Sequence, residues 1–175
     1  MRLIVGGASQ GKLSFGLKLL GYGETEENPA GKDIIADGGK QDGCPEDVFE
    51  RPVVYRLHEY IRRFSEEDDG EKAGQHMEQW LKRLMTENPD AVIISNEVGC
   101  GIVPVKREDR LWRDLCGRAC RILAESASEV YRVSCGIPVR LKGEPEEKRT
   151  GETKEEENRK KAEAVRETDR RGGES

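Results

Sequence analysis

The feature that most constrains the fold is a short apolar run followed by a glycine-rich turn, close to the start of the sequence. Residues 3–13 read Leu-Ile-Val-Gly-Gly-Ala-Ser-Gln-Gly-Lys-Leu. From Gly6 through Gly11 and Lys12, the spacing follows the phosphate-binding pattern G-x-x-x-x-G-K-[ST] except at its last position. Glycines allow a tight turn whose N–H groups point at an anion, and a following helix adds the positive end of its dipole. The pattern therefore predicts a buried strand, a phosphate-binding loop and a helix.

The loop residues are the strongest candidates for binding a nucleotide. They are Gly6, Gly7, Ala8, Ser9, Gln10, Gly11, Lys12 and Leu13. We expect their backbone N–H groups to surround the phosphates and the Lys12 ammonium to act on the outer phosphates as a catalytic residue. The alternative is a tight strand-to-helix turn without a ligand. Leu13, Leu17 and Leu20 have the spacing of an amphipathic helix, and this setting favours the nucleotide site.

The last position of the pattern departs from it. Leu13 stands where a Ser or Thr hydroxyl normally binds Mg²⁺. Ser14 is one residue late, which turns its hydroxyl by about 100° around a helix, so it is not expected to replace that ligand directly. Ser9, Glu59 or Glu97 could do so through water. The metal ligand therefore stays unassigned from the sequence.

Composition divides the chain into a folded part and a tail. Of the 175 residues, 37% are charged and 34% are hydrophobic. The segment 143–175 has only Ala162, Ala164 and Val165 as aliphatic residues, so it cannot bury enough apolar surface to offset the entropy lost on ordering. We expect one domain at residues 1–142 and a disordered charged tail at 143–175. An interaction tail is the alternative.

Charge and cysteine content argue against several classes of protein. The net charge is −5 and no basic stretch is interleaved with aromatic residues, so nucleic acid is not an expected partner. No apolar run is long enough to span a membrane, and the first residues suit a core strand rather than a signal peptide, which predicts a cytoplasmic protein. Five cysteines without C-x-x-C spacing predict reduced thiols packed in the core.

Hydrophobic periodicity predicts alternating strands and helices along the rest of the domain. We expect strands at 33–36, 53–57, 91–95, 129–134 and 138–141, and helical stripes at 77–85 and 111–123. This order predicts an α/β fold with a mainly parallel sheet and helices on both faces, of the P-loop nucleotide-binding type. Ligands of such sheets bind beyond the carboxyl ends of the strands. The segments expected there are Gly6–Lys12, Asp37–Lys40, His58–Glu59 and Asn96–Pro104.

The segment Asn96–Pro104 is the second dense signal and reads N-E-V-G-C-G-I-V-P. It is followed by Arg113–Arg118 and then by Glu129–Ile137. Together with Gly6–Lys12, these segments resemble the bifunctional adenosylcobinamide kinase/adenosylcobinamide-phosphate guanylyltransferases of cobalamin biosynthesis. The resemblance covers the start of the chain and almost all of residues 91–142, in a shortened form of the family.

The resemblance implies a two-step reaction on a corrinoid substrate. A nucleoside triphosphate, ATP or GTP, phosphorylates the aminopropanol hydroxyl of adenosylcobinamide, and GTP then guanylylates that phosphate through a histidine-bound GMP. The resemblance also implies Mg²⁺ as a cofactor and Gly6–Lys12 as the triphosphate site. It further implies a homo-oligomer, a trimer, with sites near the subunit contacts.

Glu97 and His58 are the other candidate catalytic residues. Glu97 is placed to accept a hydrogen bond from a nucleotide hydroxyl or to hold a metal-bound water; an exposed Glu in a β-to-α turn is the alternative. His58 follows the third strand, where an imidazole could act as a nucleophile. It could equally be another active-site contact or an ordinary residue at a helix start. His76, the other histidine of the chain, is expected to be solvated.

One departure from the family concerns the guanylylated histidine. Family members carry it between the second and third strands, in an R-x-x-x-H-x-x-x-R-P type of motif, and the interval Gly38–Pro52 contains no histidine. The sequence therefore favours an adenosylcobinamide kinase and leaves guanylyltransferase activity open. A non-catalytic nucleotide-binding or regulatory protein of the same fold is the alternative, as is a P-loop kinase for another small alcohol.

Overall fold

The computed structural model describes residues 1–22, 34–40, 45–67, 69–101 and 103–144. Its strands are β1 Arg2–Val5, β2 Ile35–Asp37, β3 Val53–Tyr55, β4 Val92–Ile94, β5 Glu129–Ser134 and β6 Ile137–Lys142. Its helices are α1 Lys12–Leu19, α2 Leu57–Glu67, α3 Gly70–Glu87 and α4 Arg107–Ser126, with short 3₁₀ turns at Pro45–Phe49 and Val98–Cys100. One compact unit spans Met1–Gly143. Beyond Glu144, the expected tail lies outside the described residues and stays a prediction.

The six strands form one sheet in the order β2-β3-β4-β1-β5-β6. Neighbouring strands are parallel except β5 and β6, which form an antiparallel hairpin at the edge. The mainly parallel α/β sheet predicted from the sequence is therefore confirmed. β1 lies between β4 and β5, and the helices that follow β1 and β4 cover opposite faces. The carboxyl ends of β1 and β4 thus form the kind of crevice at which open α/β sheets bind ligands.

Apolar side chains alternate between the two faces of the sheet, and each face has its own core cluster. Leu3 and Ile93 pack on the side covered by α2, α3 and α4. Ile4 and Ile94, their neighbours in sequence, pack on the other side with the half-buried residues of α1. Because successive strand residues point to opposite faces, these central strands are apolar on both sides. Helices on both faces are confirmed.

α1 approaches the sheet through a glycine rather than through its leucine stripe. Leu13, Leu17 and Leu20 are only half-buried, whereas Gly16 is fully buried. A Cβ built on Gly16 would lie 2.9 Å from the Ile94 Cδ1 atom. The absence of a side chain at this position lets the helix sit closer to β4 than a leucine contact would allow, so the predicted stripe flanks the contact instead of forming it.

β3 is two residues shorter than the run 53–57 expected from hydrophobicity. Arg56 has φ of 57°, a left-handed conformation that ends the strand, and α2 begins at the next residue. β2 likewise begins at Ile35 rather than at residue 33, and residue 33 lies outside the described part. A single residue of unfavourable backbone conformation thus separates β3 from α2.

The cysteines only partly follow the prediction of core thiols. Cys116 is buried and Cys120 is half-buried on α4, and both are free. Cys135 is exposed in the tight β5–β6 turn, where its φ is 51°, so the expectation of core burial is wrong for this residue. This two-residue turn joins the last two strands at the edge of the sheet, and Cys135 belongs to neither of the two core clusters. None of the helices in the described ranges is long and apolar enough to cross a bilayer.

Candidate nucleotide-binding site

The glycine-rich segment forms an open loop between β1 and α1. Gly6 has φ of 151°, Ser9 of 55° and Gly11 of 81°. Gly6 is required by packing as well, because a Cβ there would lie 2.3 Å from the Val133 carbonyl oxygen. The first turn of α1 has N–H groups without intrahelical partners, and they face the loop together with the positive end of the helix dipole.

The turn between β5 and β6 supports this loop from one side. The Cys135 N–H donates to the side-chain oxygen of Gln10, and the Gly136 N–H donates to the Gln10 carbonyl at 3.1 Å. Cys135 and Gly136 both have positive φ, as in the turns that suit the twist of a two-residue hairpin. Gln10 is therefore held by the β5–β6 turn through two hydrogen bonds.

The segment after β4 runs along the other side of the loop. The Ser95 N–H donates to the Ile4 carbonyl, and the Glu97 N–H donates to the Gly6 carbonyl, both at 3.0 Å. These bonds continue the β1–β4 pairing beyond the strand ends. They place the Asn96 side chain beside the loop, as expected for a segment at the same sheet edge.

Lys12 points into the loop. Its side chain is only 5% exposed, and its Nζ donates a hydrogen bond to the Gly7 carbonyl. Burial lowers the pKa of this ammonium, and the negative charge of Glu97 partly opposes the shift. A buried cation with one carbonyl partner is well placed to bind an incoming phosphate, because it has donors to spare and little water to lose.

Glu97 lies beside the loop, and its carboxylate is already engaged. Its Oε2 accepts a hydrogen bond from the Arg132 Nη2 atom at 2.9 Å. Arg132 is exposed on β5. The carboxylate is thus oriented by a cation on one side and attracted by Lys12 on the other.

His58 is buried at the start of α2 and faces the segment after β4. Its exposed fraction is 5%. Its Nδ1 accepts from the Asn96 N–H at 3.3 Å, and its Nε2 lies 3.0 Å from the Asn96 Nδ2 atom and 3.5 Å from the Glu59 Oε1 atom. Burial lowers the pKa of the ring, although Glu59 acts in the opposite direction. The ring is therefore neutral at pH 7 and has both nitrogens directed at protein groups.

Asp37 and Arg56 form a two-pronged ion pair between the ends of β2 and β3. The Arg56 Nε and Nη2 atoms each lie 2.6 Å from an Asp37 carboxylate oxygen, and the Gly39 N–H adds a third hydrogen bond at 3.1 Å. Burial acts to raise the pKa of Asp37, but the bonds from Arg56 and Gly39 outweigh it and lower the pKa. The same contact raises the pKa of Arg56.

A cavity of about 310 Å³ joins several of these groups. Its lining residues are Ala8, Ser9, Gln10, Gly11, Lys12, Leu13, Ser14, Tyr55, Arg56 and Asn96. Six of the eight predicted loop residues thus line one cavity, whereas Gly6, Gly7, Glu97 and His58 do not line it. Asn96 belongs to a segment expected at this edge but was not named as a site residue, and Tyr55 and Arg56 lie outside the expected segments. Their position at the carboxyl ends of β3 and β4 is the signal that could have found them.

The residues at the loop do not form the usual Mg²⁺ site of this motif. Leu13 supplies no oxygen and packs against the apolar cluster on the α1 side. Ser14 lines the cavity but has the wrong place in the pattern, and the Glu97 carboxylate is held by Arg132. Among the described residues, no group of three or more His, Cys, Asp or Glu could hold a metal ion. A bound Mg²⁺ would depend on nucleotide oxygens and water more than on this chain.

A mainly parallel sheet with this loop between β1 and α1 defines an α/β protein of the P-loop type. Residues 54–141 match the sequence family described as cobinamide kinase / cobinamide phosphate guanyltransferase. The chain belongs to this family. The matched stretch begins after the phosphate loop, so the loop itself is identified by its own sequence and geometry.

Three curated relatives show similarity to this chain. The bifunctional adenosylcobalamin biosynthesis proteins CobU of Escherichia coli and of Salmonella typhimurium are each 49% identical over 51 residues, which is 29% of this chain and 28% of either relative. The bifunctional adenosylcobalamin biosynthesis protein CobP of Pseudomonas aeruginosa is 32% identical over 78 residues, 45% of each chain. The alignments thus span between about a quarter and a half of these relatives.

Proposed function

We propose that this protein is a nucleotide-dependent kinase that phosphorylates the aminopropanol hydroxyl of adenosylcobinamide with ATP or GTP. The observation that carries the proposal is the cavity in which the phosphate loop, Lys12 and Asn96 meet. Membership of the cobinamide kinase family supports the corrinoid substrate. The work of this site is to hold the triphosphate and neutralise charge as the terminal phosphoryl group leaves, which is the main demand of phosphoryl transfer.

The chain's own groups divide this work between backbone and side chain. Loop N–H groups and the dipole of α1 bind the phosphates, and the Lys12 ammonium exchanges its Gly7 carbonyl partner for a phosphate oxygen. Burial lowers the pKa of Lys12, and the negative charge of a bound phosphate would act in the opposite direction and favour the ammonium form. Mg²⁺, when carried in by the nucleotide, supplies further charge neutralisation.

The proposed second activity, guanylyl transfer, needs a nucleophile that the buried ring of His58 is poorly placed to provide. Both ring nitrogens face Asn96 or Glu59. A neutral imidazole that is hydrogen-bonded to Asn96 is better suited to hold the Asn96 side chain in place than to attack a phosphorus atom. The role of Glu97 remains a proposal too, as an orienting acceptor beside Lys12.

The kinase proposal is tested by incubating the purified protein with adenosylcobinamide and γ-labelled ATP or GTP. We expect labelled adenosylcobinamide phosphate, and we expect Lys12→Ala to lower its rate about 10²–10³-fold, as loss of one charge-stabilising donor typically does. Lys18→Ala, on the exposed side of the same helix, is the matched control and should keep the wild-type rate.

Two outcomes separate the alternatives. Nucleotide binding without phosphorylated corrinoid would favour either a non-catalytic protein of this fold or a kinase for another small alcohol. The absence of the usual hydroxyl at Leu13 supports the non-catalytic alternative. Label from α-³²P-GTP that survives denaturation in the wild type but not in His58→Ala would establish a guanylyl-histidine at His58. The absence of such label would leave the protein a kinase alone.

We also propose that the chain forms a homo-oligomer. Ile137, Val139 and Leu141 alternate along the edge strand β6, and each is more than half exposed. An apolar stripe on a sheet edge is unusual unless another surface covers it. The molar mass in solution, measured by light scattering, decides between a monomer and a trimer.

A further inference from the structure

We propose that Arg56 binds the outer phosphates of the nucleotide and supplies, from the end of β3, charge neutralisation that a protein-held Mg²⁺ provides in other phosphate loops. This inference rests on the proposed nucleotide site. It assigns a phosphate-binding residue to a position outside the loop motif. It also predicts that triphosphate binding depends less on Mg²⁺ than the motif alone would suggest.

The position of Arg56 is the first support. It lines the same cavity as Lys12 and Leu13, the two positions at which a phosphate loop binds the outer phosphates and their Mg²⁺. Its side chain is 37% exposed, so a ligand in the cavity can reach it. Among side chains that line the cavity, Lys12 and Arg56 are the two that carry a positive charge.

The local structure is arranged around this guanidinium. A Cβ at Gly39 would lie 2.2 Å from the Arg56 Cζ atom, and a Cβ at Gly38 would lie 2.6 Å from the Arg56 carbonyl oxygen. Arg56 itself has φ of 57°, a left-handed conformation that is unfavourable for a residue with a side chain. Gly38, Gly39 and the left-handed backbone conformation of Arg56 therefore make room for the arginine side chain beside the phosphate loop.

The pair with Asp37 orients the guanidinium without using all its donors. Asp37 accepts from Nε and Nη2, and a guanidinium has five N–H groups in all. Three N–H groups remain for a phosphate, in a planar fork that matches phosphate oxygens. A carboxylate that fixes one edge of an arginine reduces the rotamer entropy lost when the other edge binds an anion.

Arg56 can supply the charge neutralisation that is lost because Leu13 has no hydroxyl to bind Mg²⁺. Without a hydroxyl at position 13, the protein offers the outer phosphates little help in holding a divalent cation. A guanidinium is always charged and needs no metal, so it compensates negative charge at the same end of the triphosphate. The binding of nucleoside diphosphates and triphosphates should therefore exceed that of monophosphates in the presence of EDTA.

The test is calorimetric titration of the full chain with GTP, GDP and GMP, and with the ATP series, in EDTA and in Mg²⁺. We expect Arg56→Gln to weaken triphosphate binding about 10- to 100-fold, the usual value of a charge-assisted contact. The loss for the monophosphate should be less than about threefold, because the guanidinium acts on the outer phosphates. Arg62→Gln, a similarly exposed arginine on α2 that does not line the cavity, should bind like the wild type.

Asp37→Asn distinguishes phosphate binding from a structural role of the ion pair. It breaks the pair but keeps the guanidinium, so the lost orientation should lower triphosphate affinity by no more than about threefold. Equal losses in Asp37→Asn and Arg56→Gln would overturn the inference, as would equal losses for mono- and triphosphates. Thermal unfolding of each variant checks that it is folded.

Failure of this inference is separable from failure of the kinase proposal. A wild-type protein that binds triphosphate while Arg56→Gln binds it equally well overturns the inference alone. A wild-type protein that binds no nucleotide overturns both. Normal binding with the expected Arg56 effect, but without phosphorylated corrinoid, overturns only the kinase.

Discussion

At the level of single residues, His58 and Lys12 show how burial sets the charge of groups near the cavity. Each is 5% exposed, and burial lowers the pKa of both. Their consequences differ because their ordinary pKa values differ. Lowering the pKa of a lysine leaves an ammonium that an anion can stabilise, whereas lowering that of a histidine removes its charge at neutral pH.

We expect the pKa of His58 to lie below the ordinary imidazole value of about 6.5. The unfolded chain then binds a proton more readily than the folded one, so the free energy of unfolding falls as the pH drops through about 6.5 toward the folded-state pKa. An NMR titration of the ring signals measures this. The chain has two histidines, so His76→Gln leaves a single ring to follow. A folded-state pKa at or above 6.5 would contradict the prediction.

At the level of elements, all six strands and the helices α1, α3 and α4 could be predicted from the sequence, whereas α2 was not among the predicted helices. β5 has the predicted bounds, and the stripe residues Met77, Leu81 and Leu84 are buried on α3. The end of β3 could not be predicted, because the hydrophobic pattern continues through Leu57. The strand itself stops earlier, since Arg56 has a left-handed backbone conformation. Gly16 was also missed, since a glycine has no hydrophobic signal although it permits the closest contact between α1 and β4.

At the level of elements, a substitution at Gly6 tests the close contact between the end of β1 and β5. Gly6→Ala places a Cβ against the Val133 carbonyl in a backbone conformation that other residues rarely adopt. We expect the free energy of unfolding to fall by about 2–4 kcal/mol, measured by urea denaturation. Gly117→Ala is the control, because nothing lies near that exposed position of α4. It should be neutral or stabilising by up to about 1 kcal/mol. Equal stability of the two variants would refute the packing argument.

At the level of the whole molecule, the site combines side chains from three strand ends, and this explains what the sequence could not supply. The loop was evident because its residues are contiguous. Arg56 and Asp37 are 19 residues apart and meet only because β2 and β3 pair in parallel. Their pairing needs the register of the sheet, which periodicity does not determine.

We propose that residues 1–143 fold and bind nucleotide without the remainder of the chain. Gly143 ends the compact unit, and Lys142 donates to the carbonyls of Ala124 and Glu125 at the end of α4, so truncation after Gly143 keeps these contacts. The midpoint of thermal unfolding and the affinity for GTP should match those of the full chain. A drop in either would show that residues 144–175 dock onto the domain.

The contact between Gln10 and Cys135 joins residues 125 positions apart in the sequence. During synthesis, the loop leaves the ribosome early, and its contacts are complete only after the β5–β6 hairpin has been made. Closure over such a separation is slow compared with the formation of α1. We therefore expect the loop to reach its full binding shape only when β6 has emerged, so that a nascent chain halted before β6 carries the phosphate-binding sequence without the complete site.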